Sequence, residues 1–465
     1  MLLAGLGGTW TLWGTDRGAG TDSRPPAAGG RPAGVRQDPV EETAPREIHG
    51  RALFTVAAPR FSRGDGSWLD GQWVTRNAYV HTGLSRIDAY SLGERQGRRL
   101  WSVPLGGPVC SAGPQVSDHG RVAVVLRARA SKNPVCDQLA VVDIDNGRKL
   151  WQATLPTIRA QENQPPSVAI NGGVVAVGAQ HGLVAYPLEG TKPLWRSERL
   201  SCGGAVAYGG QALVVRILDS GVLACGRRGE RLQKLDPLTG NPVWTYRLPD
   251  ADTYKVLSNN PVVVATSPVN EYDDGDDELT HVISLDDDGK RQASFELGEA
   301  SFAPCFNHNP QDCSFVVSDD TLYLPTTRRS QHQPNSILAF DLENGRTRAE
   351  YLAQYDHQIV PLRMSGERLI ALQAEWTSLR CHCFATSTAR ETVEVLGIEP
   401  AGGKKTVLLR ASFTDPDVKD TLAHAETLFR NGRLFLGRNR VDGPQRDRSR
   451  GADQLLGAVF GVRPR

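Results

Sequence analysis

The sequence predicts an all-β fold, a β-propeller of four-stranded antiparallel blades, and three observations predict it. The first is a recurring stretch. Gly147-Arg148-Lys149-Leu150-Trp151 follows the alternating run Leu139 to Ile144 and an Asn-Gly turn, a β-hairpin written in residues. Gly97 to Trp101 and Gly240 to Trp244 stand in the same relation to the runs before them. The second is a period: turn glycines at 97, 147, 190, 240, 289 and 345 are spaced by 50, 43, 50, 49 and 56 residues, the mark of one repeated supersecondary unit. The third is the complementarity of two distant stretches. Gly50 to Phe54 repeats the outer-strand pattern without a hairpin partner before it, and Gln454 to Val462 reads as a third strand without a fourth. Paired, they complete one blade and remove two exposed sheet edges.

Composition agrees. A chain of 465 residues exceeds what one ordinary core organises, and the repeat selects many small cores set side by side. With 48 Gly and 29 Pro the chain suits short strands and many turns. The 53 Lys and Arg against 52 Asp and Glu leave a formal charge of +1, so no global field favours nucleic acid or an anionic membrane surface as partner.

Taken in order, residues 1–14 are apolar and uncharged but short of a bilayer span and lack a basic leading region, which reads as the outer half of a membrane anchor or signal segment. Residues 15–45 are rich in Gly, Pro, Ala, Arg and acidic side chains and read as a disordered linker. The propeller is expected over 46–465. In its second unit the strands fall near Pro114 to Ser117, Arg121 to Ala128, Gln138 to Asp143 and Lys149 to Leu155. In the third they fall near Ser167 to Ile170, Val174 to Gly178, Leu183 to Pro187 and Lys192 to Ser197. Later units carry insertions: acidic from Glu271 to Glu278, polar from Thr326 to Asn335, basic from Gly437 to Arg450. Outer strands near Gly50, the six periodic glycines and Gly403 give eight blades, or seven if Lys404 to Leu409, which has no aromatic, is discounted.

The eight cysteines form close couples: Cys110 with Cys136, Cys202 with Cys225, Cys305 with Cys313, and Cys381 with Cys383. Cys110 and Cys202 each follow a repeat's last strand, and Cys136 and Cys225 each precede the next hairpin. The first three couples are expected as disulfides, which places the chain in an oxidising compartment, on the outer face of a cell membrane or secreted.

The stretch Leu235-Asp236-Pro237-Leu238-Thr239-Gly240-Asn241-Pro242-Val243-Trp244 resembles the tryptophan-docking repeat of the pyrroloquinoline-quinone-like β-propellers, and Asp143 to Trp151 and Asp341 to Gly345 resemble it less completely. The resemblance runs from about Arg46 to the end of the chain. It implies that Trp101, Trp151, Trp195 and Trp244 pack between neighbouring blades. It also implies one of two activities: quinone-dependent dehydrogenation with calcium beneath the cofactor, a catalytic Asp and a disulfide between adjacent cysteines, or a non-catalytic binding platform. No adjacent cysteines occur here, the nearest being Cys381-His382-Cys383, and no calcium carboxylate or catalytic Asp maps onto a matching position. No residue is carried over as catalytic, and no cofactor is expected; quinone and calcium belong to the alternative.

Other chemistry is sparse. Cys381-His382-Cys383 offers soft ligands to zinc or copper but no remaining coordination, so a strained loop disulfide, or pairing of the two cysteines elsewhere, is the simpler reading. The run Asp273 to Glu278 lacks the spacing of a calcium loop and reads as a solvated tip, and Arg63-Gly64-Asp65 is expected by chance. There is no Gly-x-Ser-x-Gly, His-Glu-x-x-His, phosphate loop or dinucleotide fingerprint. A propeller glycosidase, whose carboxylates come from separate blades, leaves no local trace and stays a third reading. The sequence therefore points to a monomeric, non-enzymatic, membrane-tethered propeller that binds a protein, peptide or envelope component through its loops.

Overall fold

A computed structural model describes residues 41–59, 66–127, 135–156, 158, 160, 165–197, 200, 203–218, 229–249, 253–267, 278–298, 301–302, 314–327, 333–375, 390–438, 440–442 and 454–462. The expected anchor at 1–14 and most of the expected linker lie outside them. Six separate four-stranded antiparallel sheets span residues 72–104, 109–154, 167–196, 204–247, 253–296 and 316–352, here blades I to VI. Blade VII spans 357–413, and its outer strand Lys405–Phe413 is fully formed, so the seven-blade count does not hold. Blade VIII runs from Ala425–Arg430 through Arg433–Arg438 and Leu455–Gly461 to His49–Ala57, which gives eight blades among the described residues.

The closing pair is antiparallel, with Arg51 opposite Gly461, Phe54 opposite Val459 and Ala57 opposite Leu455. The expected strand at 114–117 in blade II is displaced. The inner strand is Val109–Ala112, pinned to Arg121–Arg127, while Ser117 and Gly120 close the turn between them.

Each blade is buried on both faces, so its middle strands read as nearly continuous apolar runs. In Arg121–Arg127 of blade II, Val122, Val124 and Leu126 pack toward blade I. Ala123 and Val125, one residue out of phase, pack toward blade III. The same alternation repeats around the chain, and the described residues form eight apolar clusters, each between consecutive blades. The last, holding Val56, Tyr79, Phe435 and Val459, joins blade VIII to blade I and closes the ring.

Aromatic side chains on the outer strands set the spacing of the blades. A Cβ added to Gly147 would lie 2.4 Å from the Trp101 ring of the preceding blade; on Gly240 it would lie 2.5 Å from Trp195, and on Gly289 2.4 Å from Trp244. These turn glycines have positive φ, 63°, 74° and 77°. Left-handed backbone and a missing Cβ are thus required at one position. Trp151 docks by donating from Nε1 to the Leu188 carbonyl at 2.7 Å, and Trp195 donates to the Pro237 carbonyl at 2.8 Å.

Where tryptophan is absent another ring substitutes. Phe295 lies against Gly345, Phe54 against Gly97, and Tyr351 approaches Gly403 and donates to the Pro400 carbonyl. The aspartates of the repeat shape the turn, as Asp236 Oδ1 accepts from the Leu238 and Thr239 amides and Asp143 Oδ1 from those of Asp145 and Asn146.

One junction departs from the pattern. The outer strand of blade VII has no docking aromatic; instead His49 and Gly50 pair in parallel with Arg410 and Ala411, and the Ile48 carbonyl accepts from the Arg410 amide. Ahead of this pairing Glu42 is 5% exposed and bonded to both blades. The structured chain therefore begins before the boundary at 46 expected from composition. The signal was invisible because Glu42 sits in a polar stretch and its partners lie more than 300 residues away.

Two predictions follow from the packing. Deleting residues 1–57 removes the outer strand of blade VIII and is expected to lower the melting temperature by about 10 °C or more, whereas deletion of 1–40 leaves it nearly unchanged; scanning calorimetry distinguishes them, and equal melting of both would refute the closure. Gly289→Ala forces a methyl group onto Trp244 in a left-handed turn and is expected to cost about 1–3 kcal/mol in chemical denaturation, while Gly173→Ala, which meets nothing within 4 Å, costs far less.

Candidate binding face

Antiparallel order fixes which connections share a face. In every blade the turn between first and second strands and the turn between third and fourth emerge on one side. The second-to-third connection and the crossing to the next blade emerge on the other. The first side is tight: its inner turns are 75–77, 172–173, 209–212, 260–261, 318–320, 366–367 and 431–432, with only the turn of blade II longer. The second side carries the long connections 219–230, 268–280, 326–335 and 376–390 within blades, and 58–71, 155–166, 297–315 and 414–424 between them. The strand ends that flank the acidic, polar and basic insertions read from the sequence lie on this second side.

The tight face is tied by side-chain amides. Gln115 of blade II donates to the Gly209 carbonyl of blade IV and accepts from the Ile170 amide of blade III. Asn171 donates to the Gly210 carbonyl, and Asn259 of blade V donates to the carbonyls of Gly209 and Ala212. Four consecutive blades are thereby fixed to one another near the axis.

Buried and half-buried ionisable groups gather on the long-connection face where blade VIII meets blade I. Asp70 precedes the inner strand Gln72–Val74, and Glu426 lies in the inner strand Ala425–Arg430. Between them, Gln72 Nε2 donates to the Glu426 carbonyl oxygen at 2.7 Å and Tyr79 Oη donates to Gln72 Oε1 at 3.2 Å. Gly437 and Gly457 leave room for these two side chains, since an added Cβ would meet Gln72 Oε1 at 2.2 Å or Tyr79 Oη at 2.8 Å. Burial pushes Asp70 up to about 7. Burial, reinforced by the charge of Asp70 and opposed by Gln72 and Arg430, pushes Glu426 up to about 7. Burial holds His81, next in the same blade, down to about 4 against its bond to the Thr82 carbonyl and the charge of Asp88.

The helix Pro416–His424, on the same face, is held by two ion pairs. Lys419 reaches Glu391 at 3.0 Å and Arg438 reaches Asp420 at 2.5 Å. None of these groups was singled out from the sequence. Their partners come from opposite ends of the chain, so no local spacing announces them.

The sequence-derived residues fall elsewhere. Trp101, Trp151, Trp195 and Trp244 lie on the outer strands of blades I to IV, in the docking positions described above. A groove of about 450 Å³ on the rim, lined by Arg148, Lys149, Trp151, Glu189 and Thr191, is the outer mouth of one such dock. Cys110 and Cys136 are bonded, joining the first and third strands of blade II across a separation of 26 residues. Both lie within strands rather than in the connections where the sequence put them. A loop of that size contributes about 3 kcal/mol by the chain-entropy estimate. Cys202, Cys225, Cys305, Cys313, Cys381, His382 and Cys383 lie outside the described residues, as do Arg63 to Asp65 and Asp273 to Asp277. Among the described residues no group of three or more His, Cys, Asp or Glu is placed to hold a metal ion, and no helix is long and apolar enough to cross a membrane.

Eight closed blades and ring-on-glycine docking define a tryptophan-docking β-propeller. A family profile described as outer membrane protein assembly factor BamB matches residues 135–225 and 190–363. Over residues 135–363 the chain matches the pyrroloquinoline-quinone-like β-propeller family. None of the curated protein sequences matches it. Among solved structures it is similar to BamB from Moraxella catarrhalis, at 13% identity over 86% of this chain and 98% of that one, with a TM-score of 0.47. It is also similar to the quinohemoprotein alcohol dehydrogenase ADHIIG from Pseudomonas putida HK5, at 12% identity over 89% and 76%, with a TM-score of 0.50. At that identity the likeness shows the fold alone.

The three shifted groups act in opposite directions on stability. Asp70 and Glu426 titrate near 7 when folded and near 4 when unfolded, so their stabilising protonation is lost as pH rises from about 4 to 7. His81 titrates near 4 when folded and 6.5 in its ordinary state, so its contribution is lost as pH falls through that window. The variant carrying Asp70→Asn and Glu426→Gln is expected to match the parent near pH 4 and to exceed it by about 1–3 kcal/mol at pH 8. Urea titrations at both pH values measure this, and a pH-independent difference would contradict it.

Proposed function

We propose that this chain is a non-enzymatic extracytoplasmic propeller, tethered at the cell envelope by its N-terminal segment. It acts as a monomeric scaffold or sensor that engages a protein, peptide or envelope component through the long-connection face. The asymmetry between the faces carries this reading. One face is built of short turns, that of blade II excepted, and is tied by amides, while the other takes most of the long connections on a rigid frame, the arrangement by which loops diversify recognition without loss of the fold. The disulfide of blade II supports an oxidising compartment. The match to the assembly-factor family supports a binding platform in the envelope.

Quinone-dependent oxidation is the competing reading. The sequence offers it no pair of adjacent cysteines, which favours the binding reading.

Photo-crosslinking in envelope fractions tests the proposal. A crosslinker replacing Glu278 or Gln333 on the long-connection face is expected to trap one discrete partner, while one replacing Asn77 or Glu367 on the tight face traps none. In parallel, purified protein given pyrroloquinoline quinone and calcium is expected to show no dye-linked oxidation of alcohols or sugars. Stoichiometric quinone binding with turnover would overturn the reading.

A further inference from the structure

The segment before the closing strand is bound as a peptide ligand is bound. Along 41–47 only Glu42 is buried, while Glu41, Thr43, Ala44, Pro45, Arg46 and Glu47 are exposed. Its carboxylate enters a pocket made by the inner hairpins of blades VII and VIII. Oε1 accepts from an Arg363 guanidinium nitrogen at 2.8 Å and from the Asn431 amide at 2.6 Å, and Oε2 accepts from the Gly432 amide at 3.0 Å. Asn431 and Gly432 both have left-handed backbone, with φ of 51° and 67°. Successive amides in that conformation turn inward as an anion-binding concavity. The main chain of Glu42 is held as well, its amide donating to Ser365 Oγ at 2.8 Å and its carbonyl accepting from Arg368. Arg363 is itself oriented by donating from Nε to the Phe429 carbonyl. This set of donors recognises a carboxylate and the extended backbone around it, the chemistry by which acidic motifs are captured elsewhere.

The pocket also stands at the junction that lacks an aromatic dock. There the segment lies across both blades, through Glu42 and the short parallel pairing at His49 and Gly50, above the apolar cluster in which Phe413 meets Phe460. A single buried anchor in an exposed run makes that attachment separable from the blades themselves.

We propose that the cleft between the inner hairpins of blades VII and VIII is a receptor site for an extended peptide carrying one anchoring carboxylate. Residues 41–48 are its occupant in cis, exchangeable for an acidic peptide supplied in trans.

The test uses the full chain with Glu42→Gln, which keeps size and removes the charge, and a fluorescent synthetic peptide spanning residues 40–50. By anisotropy the peptide is expected to bind the variant at least tenfold more tightly than the parent, whose own segment competes. The same peptide with Gln at position 42 binds neither chain. Hydrogen exchange followed by mass spectrometry provides the second readout. The segment 428–434 is expected to exchange at least tenfold faster in the variant and to be protected again by the peptide, while 174–179 of blade III is unchanged and reports an intact fold. Equal peptide binding by parent and variant, or unaltered exchange at 428–434, would overturn the proposal.

Discussion

The structure depends on one contact repeated around a ring: an aromatic side chain on the outer strand of one blade pressed onto a left-handed glycine in the turn of the next. Neighbouring sheets diverge from the axis, and a flat ring of large area fills the wedge that divergence opens. The glycine is needed twice over, once for its φ and once for its absent Cβ, as Gly147 beneath Trp101 and Gly289 beneath Trp244 make plain. Each blade alone is too small to bury its two apolar faces. Stability therefore resides between blades, in clusters such as the one that sets Val122 of blade II against Val80 of blade I.

That contact explains what could be read in advance. The turn aspartate, the glycine and the ring all fall within one hairpin, so local stereochemistry writes them into the sequence at a fixed interval. Phe54 could be read from its place after Gly50, but the substitution of Phe295 and Tyr351 for tryptophan was harder to see, because any planar ring fills the wedge and the sequence need not repeat a residue type. The inner strand of blade II was misplaced for a different reason. Val109–Ala112 is short and bracketed by Gly107, Pro108 and Gly113, whereas the residues after it gave a false alternation.

The candidate sites were not legible, and the reason is separation along the chain. Asp70 and Glu426 owe their shifted titration to burial at a seam that exists only once the first and last blades meet. Glu42 finds Arg363 and Asn431 by the same closure. Neither carries a spacing that a single sequence displays. The division into a tight face and an elaborated face was half legible: insertions could be counted in the sequence, but only strand order shows that they share a side.

Joining His49–Ala57 to Leu455–Gly461 has a consequence for how the molecule is made. Synthesis is vectorial, and domains generally begin to organise as they emerge. Here His49–Ala57 must wait for its antiparallel neighbour until all the intervening blades have been delivered. Blades I to VI can assemble in sequence on nearest-neighbour contacts, but the ring cannot lock before Leu455–Gly461 has emerged. Until then the chain presents an open edge to whatever accompanies it through the cell.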